Sequence, residues 1–342
     1  MRDLLTISVD AMSGDRGASP AVDAVCAMLT EAPGLRVLLF GDEGQLNSLL
    51  SDLPADAAAR VELRHAPDVV AMDEAPRDAV RRKKSSSMRL AIDAVKAGEA
   101  QACVSAGNTG ALMAIARFAL KTLPGISRPA IISAVPARGG RTCMLDLGAN
   151  ADCNARQLFE FAVMGTVVVS DIYAIERPRV ALLNIGEEQI KGTDAIREAA
   201  AQLESSSLNY VGFVEGNDIF SGAADVIVSD GFTGNVALKT MEGLARFVAL
   251  QTRRRFRKNW ASRLAGLAAL PVLRSLQASL DPRRYNGASL VGLNGIVIKS
   301  HGSADSVAWQ TAIRSAMLEV DKGVPVQISR LLETQLTETQ AP

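Results

Sequence analysis

The stretch SAGNTGALMA spans residues 105–114 and decides the fold class. It follows the apolar run Ala-Cys-Val at 102–104, which is typical of a buried strand. Gly107 and Gly110 then indicate a turn, and the apolar residues that follow indicate a helix. A strand that leads through a tight turn into a helix is the repeating unit of α/β proteins.

The same alternation continues along the whole chain. Near-continuous apolar runs between helical patterns predict a mostly parallel sheet with helices on both faces. No low-complexity linker interrupts the pattern, so we expect a single catalytic α/β domain over residues 1–342. The predicted strands are 4–9, 36–40, 102–106, 130–135, 142–147, 179–185, 210–214, 225–229 and 295–299, and the main predicted helices are 17–31, 87–98, 109–122, 155–170, 189–204, 233–259 and 303–320.

The amino-acid composition argues against several classes of function. The chain has 37 basic and 37 acidic residues, so binding to a polyanion would need a local patch. Aromatic residues make up 4%, which argues against a stacking surface for nucleic acid, and we expect no nucleic-acid partner. The four cysteines lack C-x-x-C spacing, and we find no signal peptide or transmembrane run. These features predict a cytoplasmic protein with free thiols.

A second strand–turn–helix unit, DVIVSDGFTGNVALKTMEG at 225–243, repeats the pattern of the opening stretch. Free backbone N–H groups at a helix N-terminus bind anions, and glycine lets the backbone approach the ligand. Two such turns favour an anion-binding cleft, although each could be an ordinary capped βα turn. Neither turn is a Walker loop or a dinucleotide fingerprint, so no cofactor is predicted. The candidate anion ligands are Gly107, Thr109, Gly110, Thr233, Gly234 and Asn235.

Two further segments carry polar groups. In RRKKSSSMRLAI at 81–92, Lys84 and Ser86 could bind a phosphate or an acidic partner. The alternative is that Ser86 caps a helix and Lys84 lies on a solvated face. The turn VDAMSGD at 9–15 closes the first strand, and taken alone it favours a purely structural role.

A basic amphipathic arm is predicted at residues 243–284. No acidic residue occurs from 243 to 280, and the pattern indicates two helices joined near Pro271. One face carries apolar residues and the other carries arginines. We expect this arm to contact a dimer mate and an anionic membrane surface, although packing against the core is the alternative. The predicted membrane-contact residues are Trp260, Leu264, Leu267 and Leu270.

Several long motifs follow one another along the chain: DAMSGD, KKSSSMRLAI, SAGNTGALMA, SRPAI, DLGAN, LLNIGEE…KG, DGFTGNVALKT and IKSHGSAD. The same motifs occur in this order in the bacterial phosphate acyltransferases of phospholipid synthesis, which this chain resembles from about residue 7 to 316.

The resemblance implies a reaction. An acyl group would move reversibly from the thioester of acyl carrier protein to inorganic phosphate, giving acyl phosphate for phosphatidic acid synthesis. A membrane glycerol-3-phosphate acyltransferase would use the product. The implied fold is a three-layer α/β/α sandwich like phosphotransacetylase and isopropylmalate dehydrogenase, with a protruding helical arm and assembly as a homodimer.

One position departs from the family pattern. The first motif usually reads DAMGGD, and Ser13 here replaces its first glycine. If this position needs a left-handed backbone, serine would cost roughly 1–2 kcal/mol. Its hydroxyl could instead supply a hydrogen bond.

Phosphate is itself a nucleophile, so the protein need not supply one, and no G-x-S-x-G elbow occurs. The protein must instead hold the anion beside a thioester and stabilise the oxyanion. The candidate catalytic residues are Asn108, Lys239, His301 and Asp230, with Lys191 as a further phosphate ligand.

These residues also have structural interpretations. His301 could protonate the leaving thiolate or simply form a turn, and Lys191 could pair with Glu187. His65 is expected to be structural. The acidic residues are scattered and no histidine pair has ligand spacing, so no metal site is predicted.

Two other functions remain open at this point. A phosphotransacetylase-like enzyme would use acyl-CoA with the same chemistry, and a membrane-recruited scaffold would leave the two turns without a role. An acidic carrier protein could dock on the basic run 81–84 or on the arm, and the sequence does not choose between them.

Overall fold

The protein is described by a computed structural model that covers residues 4–51, 53–279 and 281–339. Eleven strands form one continuous sheet. The strands are β1 (Leu5–Asp10), β2 (Leu35–Gly41), β3 (Val61–His65), β4 (Ala102–Ser105), β5 (Ala130–Ala137), β6 (Gly140–Leu145), β7 (Val180–Leu183), β8 (Tyr210–Val214), β9 (Val226–Val228), β10 (Ala288–Val291) and β11 (Ile296–Lys299).

Helices connect most of these strands. The α-helices are α1 (Ser19–Glu31), α2 (Glu43–Leu50), α3 (Ala55–Ala58), α4 (Pro76–Arg82), α5 (Ser87–Lys96), α6 (Thr109–Leu120), α7 (Ala155–Tyr173), α8 (Asp194–Glu204), α9 (Gly231–Phe256), α10 (Trp260–Ser279), α11 (Ser306–Lys322) and α12 (Val324–Thr339). Two short 3₁₀ turns lie at Gly216–Phe220 and Pro282–Tyr285.

The sheet is mostly parallel, as the sequence predicts. Its strand order is β3-β2-β1-β4-β11-β10-β5-β6-β9-β7-β8. The strands β1 to β4 and β11 form one group that is parallel throughout, and β6 to β9 form another. The antiparallel pairs β11–β10, β10–β5 and β5–β6 lie between these two groups. The two groups therefore run in opposite directions.

Helices cover both faces of the sheet. Along β4, Cys103 packs into the cluster beneath α5 and α6, whereas Ala102 and Val104 pack into the cluster beneath α1 and α11. Along β6, Met144 joins the first cluster, and Cys143 joins a third cluster beneath α7 and α12. This alternation has the strand period of two, and it gives the three-layer sandwich.

The structure adds two details to the predicted element pattern. The apolar runs at 130–135 and 142–147 are not separated by a crossover, because Gly139 (φ +84°) and Gly140 close a direct β5–β6 hairpin. The strand β10 was not predicted. Its apolar run of four residues is too short to stand out from a loop.

The helical arm was predicted to bend near Pro271, but this position lies inside α10. The break comes earlier, at residues 257–259, where the Asn259 side chain accepts from the Ser262 N–H at 2.8 Å and so starts a new helix. Gly266 lies against Phe256, which lets α10 approach the end of α9 closely. Leu280, within the predicted arm, lies outside the described residues. Among the described helices, none combines the length and apolarity needed to cross a bilayer.

All four cysteines are free. Cys103 and Cys143 are buried, and burial raises the pKa of the Cys143 thiol to about 12. These two behave as small core residues, as expected.

One acidic residue occupies a core position of α11. The buried stripe Trp309, Ile313 and Ala316 continues to Glu319, which is 6% exposed. The Ser289 hydroxyl donates to its carboxylate at 2.9 Å. Burial raises the pKa of Glu319 from 4.5 to about 7. A carboxyl at this position weakens folding wherever it is ionised.

We therefore predict that Glu319→Gln stabilises the protein at alkaline pH. In the unfolded chain the carboxyl ionises near its ordinary pKa, whereas the folded chain resists ionisation until about pH 7. The native state thus loses stability as pH rises between these values, by roughly 3 kcal/mol in full. Urea unfolding should find the variant more stable than wild type at pH 8, with that gain absent at pH 4. The exposed control Glu198→Gln should show no such pH-dependent difference, and equal wild-type and Glu319→Gln stabilities at pH 8 would contradict the prediction.

Candidate active site

Three polar residues end three adjacent parallel strands. The register pairs Asp10 of β1 with Ser105 of β4, and Ser105 with Lys299 of β11. All three are buried, with Lys299 the most accessible at 9%. Because parallel strands end at the same edge of the sheet, their polar groups form one row at the start of the α6 turn.

The buried carboxylate of Asp10 organises this row. The Ser105 hydroxyl donates to its Oδ2 atom at 2.6 Å, and Ser87 and Ser13 hydrogen-bond to the same residue. Burial nevertheless raises the pKa of Asp10 above its ordinary value. Its Oδ1 atom is buried and has no partner among the described residues. Such an atom is uncommon in folded proteins, which makes this edge of the sheet a candidate functional site.

Ser13, the departure from the family motif, carries no backbone strain. The left-handed position in this turn belongs to Gly14, at φ +98°, and Ser13 is not among the residues with positive φ. Its hydroxyl donates to the Asp10 carbonyl at 3.1 Å and accepts from the Ala106 N–H at 2.9 Å. The side chain therefore ties the first turn to the second strand of the row.

The opening turn presents backbone rather than side-chain donors. Asn108 caps α6 by accepting from the Ala111 N–H at 3.0 Å. Its amide group donates to the carbonyls of Met72 at 2.7 Å and Glu74 at 3.1 Å. The Asn108 side chain therefore serves as a cap in this structure, and its predicted catalytic role stays a prediction. In contrast, Thr109 and Gly110 are exposed, and no described residue accepts from their N–H groups.

Gly107 is buried under this turn, where a Cβ atom would lie 2.3 Å from Met88 Cε. The glycine therefore keeps the turn close to α5, which begins beside Asp10. This close approach fixes the position of the α6 N-terminus relative to the row.

Lys299 and His301 approach the same turn from β11. The Lys299 ammonium donates to the carbonyls of Ala106 (3.3 Å) and Ser300. Burial, with a smaller contribution from the positive charge of Lys239, lowers the pKa of Lys299 from 10.5 to about 8. A lysine with this pKa exchanges its proton near neutral pH.

The His301 ring is held in one tautomer. Its Nδ1 atom accepts from the Ser303 N–H at 3.2 Å, so the neutral ring carries its proton on Nε2. Loss of hydration is the main cause that lowers the pKa of His301, and Lys239 and Lys299 add to the effect. The imidazole is therefore neutral at pH 7, with an N–H donor available.

Lys239 completes the cluster from α9. It forms an ion pair with Glu242 at 2.9 Å and is 55% exposed. Its positive charge lowers the pKa of both Lys299 and His301. Two sequence-predicted residues, Lys239 and His301, are therefore linked electrostatically to Lys299, which donates to Ala106 beside the turn at 107–110.

The second turn does not form a matching anion cradle. Asp230 caps α9 by accepting from the Thr233 N–H (2.8 Å) and hydroxyl (2.7 Å). Gly231 donates its N–H to the Asn150 carbonyl at 2.7 Å. The cap places a carboxylate at this helix end, and that negative charge repels an anion.

The sheet topology gives the reason why the two turns do not converge. Four strands separate β4 from β9, and these two strands run in opposite directions. Gly234 packs on the Asp146 backbone, and Asn235 lies against Gly148 in the DLGAN turn. The helix α9 then carries Lys239, one turn after Asn235, towards the row.

The remaining candidates lie around the site rather than in it. Ser86 is fully buried and caps α5, accepting from the Arg89 N–H at 3.3 Å, so its alternative structural interpretation is confirmed. Lys84 is exposed. Lys191 is exposed in the loop after β7, which belongs to the oppositely directed group of strands.

Sequence reasoning missed Asp10, Ser105 and Lys299. A signal was present, because each is a polar residue that ends an apolar strand in SVD, CVS or VIK. Without the strand order, nothing indicates that these three ends are neighbours.

Comparisons with known proteins assign the family. The model of the family described as "Fatty acid synthesis protein" matches residues 5–327. The chain belongs to this family. A phosphate acyltransferase from Alkalilimnicola ehrlichii is 54% identical over the full length of both chains. Another from Nitrosococcus oceani is 54% identical, over 98% of this chain and 99% of the relative.

Solved structures agree on the fold of this family member. A phosphotransacetylase from Streptococcus pyogenes superposes with a TM-score of 0.61 at 19% identity, covering 93% of this chain and 94% of that one. A branched-chain phosphotransacylase from Enterococcus faecalis gives 0.56 at 15% identity, covering 93% and 100%. The three-layer sandwich expected from the sequence is therefore confirmed.

We predict that Ser13→Ala lowers stability by about 1–3 kcal/mol, because it leaves the buried Ala106 N–H without its acceptor. Urea unfolding followed by circular dichroism measures the change. Ser19→Ala, which removes an exposed hydroxyl from the first turn of α1, serves as the control. Equal stabilities of wild type and Ser13→Ala would show that the hydroxyl does not hold the two turns together.

Proposed function

We propose that this phosphate acyltransferase family member transfers a fatty acyl group reversibly from the thioester of acyl carrier protein to inorganic phosphate, for phosphatidic acid synthesis. The observation that carries the proposal is the contact of Lys299 with Ala106 beside the free N–H groups at the start of α6, together with the electrostatic influence of Lys239 on Lys299 and His301. This arrangement fits an anion with several oxygens. The site needs no bound cofactor or metal ion for the chemistry proposed below.

Phosphate is assigned to the space between the α6 N-terminus and the two lysines. The N–H groups of Thr109 and Gly110 would donate to its oxygens, and the helix end adds a partial positive charge. Lys239 is exposed enough to contact the ion directly, and Lys299, at 9% exposure, would approach it from below. Asn235, one turn before Lys239, is the member of the second turn nearest to this position.

The phosphate oxygen is the nucleophile. The serines of the row are poor alternatives, because Ser105 is fully buried and already donates to Asp10. Attack on the thioester carbonyl forms a bond from oxygen to carbon and gives a tetrahedral oxyanion. Collapse of that oxyanion breaks the carbon–sulfur bond, so that acyl phosphate and the carrier thiolate are released.

Proton transfer balances within the reactants. The hydrogen phosphate dianion enters with one proton, and the thiol leaves with one. Lys299, with a pKa of about 8, is matched to a thiol of pKa about 8.5. It can donate to the thiolate and recover its proton from the phosphate hydroxyl, while the His301 Nε2–H stabilises developing negative charge.

We propose that the acyl donor is carrier protein rather than acyl-CoA, because a basic surface lies close to the site. Arg81, Arg82 and Lys84 are exposed beside α5, which packs on the site. An acidic carrier would dock on such a patch. A phosphotransacetylase-like reaction with acyl-CoA is the second candidate, favoured by the fold likeness, and an assay with both donors separates them.

We propose that the helical arm at residues 243–284 contacts an anionic membrane surface. Trp260, Leu264 and Leu267 are 76%, 56% and 66% exposed, and Leu270 is half-buried. Six basic residues lie between 253 and 263, and each adds about 1 kcal/mol near an anionic leaflet. Peripheral attachment would bring acyl phosphate to a membrane glycerol-3-phosphate acyltransferase.

We propose that a second copy of the chain packs against α9. Leu244, Phe247 and Val248 are 61%, 57% and 53% exposed on one face of that helix. Such a stripe on a soluble helix is typical of a helix–helix interface. Sedimentation velocity of the full chain should therefore give the mass of a homodimer.

We predict that Lys239→Met and Lys299→Met each lower phosphate-dependent release of free carrier protein at least tenfold, because a cation beside the phosphate is lost. In wild type, the rate should fall as pH rises through about 8, where Lys299 loses its proton. That alkaline decline should be absent from the residual activity of Lys299→Met. Lys96→Met, an exposed control outside the site, should keep the wild-type rate. Wild-type rates in both folded site variants would refute the assignment.

For the arm, we predict that the double change Leu264→Glu and Leu267→Glu abolishes sedimentation with phosphatidylglycerol vesicles, since it removes apolar insertion and adds repulsion. Wild-type binding should weaken as sodium chloride is raised. Leu49→Glu on α2 is the control. Undiminished vesicle binding by the double variant would count against membrane contact by this helix.

A further inference from the structure

A cavity of about 190 Å³ lies on the face of the sheet opposite α5 and α6. Its floor is formed by β5, β6 and β10, and its walls by α7 and α11. The candidate active site contributes none of Lys239, Lys299 or His301 to its lining. The cavity is therefore separate from the phosphate site.

The inner end of the cavity is polar. Glu319 and Ser289 line it, and they are 6% and 4% exposed. The Ser289 hydroxyl donates to Glu319 at 2.9 Å, which is the hydrogen bond described for this carboxylate. The second oxygen is available as an acceptor. The raised pKa of Glu319 reflects this incomplete compensation for lost water.

The outer end of the cavity is cationic. Arg141 and Arg284 line it, both residues are exposed, and neither has an ion-pair partner among the described residues. The Arg141 guanidinium lies 4.6 Å from the centre of the Tyr173 ring, which orients it. Arg314 also lines the cavity but is paired with Glu31. Two arginines are thus available for an anion.

Packing alone does not account for this space. Empty cavities in proteins are apolar, whereas polar ones hold water or a ligand. At about 30 Å³ per water, the volume corresponds to roughly six waters. A carboxyl that weakens folding at a core position, opposite two unpaired arginines, is the kind of local conflict expected at a functional site.

We propose that this cavity binds a small hydroxylated organic anion, whose phosphate or carboxylate contacts Arg141 and Arg284 and whose hydroxyl donates to Glu319. The apolar walls, which include Ile172 and Leu318, suit a short carbon skeleton between the two ends. Arginine favours planar, bidentate contact with phosphate or carboxylate. At pH 8, where Glu319 is ionised, its carboxylate accepts hydrogen bonds only, so it selects a ligand with donors at that end.

Asn286 links the cavity to the candidate active site. It lines the cavity, and its amide donates to Ser300 Oγ at 2.8 Å and accepts from the His301 N–H at 2.9 Å. A ligand in the cavity therefore contacts the residue that holds the His301 backbone.

Calorimetric titration of the full chain at pH 8, without inorganic phosphate, tests the proposal. The probes are glycerol 3-phosphate, n-propyl phosphate, which lacks the hydroxyl donors, and glycerol, which lacks the anion; 3-hydroxybutyrate replaces the phosphate by a carboxylate. Glycerol 3-phosphate or 3-hydroxybutyrate should bind, and the tighter of the two identifies the anion. Glycerol alone should not bind. The hydroxyl contact to Glu319 should make glycerol 3-phosphate bind about tenfold tighter than n-propyl phosphate.

Single-residue variants test whether the ligand binds in this cavity. Arg141→Met should lower the affinity for the anionic ligand at least tenfold, whereas Arg138→Met, on the adjacent hairpin turn, should leave that affinity unchanged. Glu319→Gln should remove most of the preference for glycerol 3-phosphate over n-propyl phosphate, and its thermal melt controls for folding. Lys239→Met should leave the titration unchanged. Failure of both anions to bind, equal binding by Arg141→Met, or loss of binding in Lys239→Met would overturn the proposal. None of these results depends on acyl transfer, so the proposed function is tested separately.

Discussion

The parallel pairing of β1, β4 and β11 is the constraint on which the rest of the site depends. Backbone hydrogen bonds fix the register, so Asp10, Ser105 and Lys299 end their strands side by side. A shift of one residue would turn each side chain to the opposite face of the sheet. Apolar residues on both faces of these strands prevent such a shift, because they would leave the core. The hydrophobic core therefore positions the polar row.

Helix capping decides which groups at the two turns remain available to a ligand. The four N–H groups at a helix start need acceptors, and a side-chain cap uses one or more of them. At α6 the cap is the neutral Asn108, and the N–H groups of Thr109 and Gly110 stay open. At α9 the cap is the charged Asp230, which occupies the helix end with a carboxylate. Similar sequence patterns thus give one helix end suited to an anion and one that is not.

Buried ionisable groups at Asp10, Lys299 and Glu319 oppose folding, and burial shifts the pKa of each towards its neutral form. A chain of this size has a large apolar core that can offset such costs. The first two lie at the candidate active site, and the third lies in a separate cavity between α7 and α11. Their shared feature is a polar group held rigidly where water is scarce, which strengthens its interaction with a charged ligand.

The sequence by itself determined the fold class, because the apolar strand and helix periods are local properties of the chain. It also identified the 105–110 turn, Lys239 and His301 as site candidates, since glycine turns and charged side chains stand out locally. The tertiary structure alone decided the strand order, the opposite directions of the two parallel groups, and the neighbours of each strand end. These depend on contacts between residues far apart in the chain. For that reason the polar row of Asp10, Ser105 and Lys299 could be recognised only after the strands were placed together.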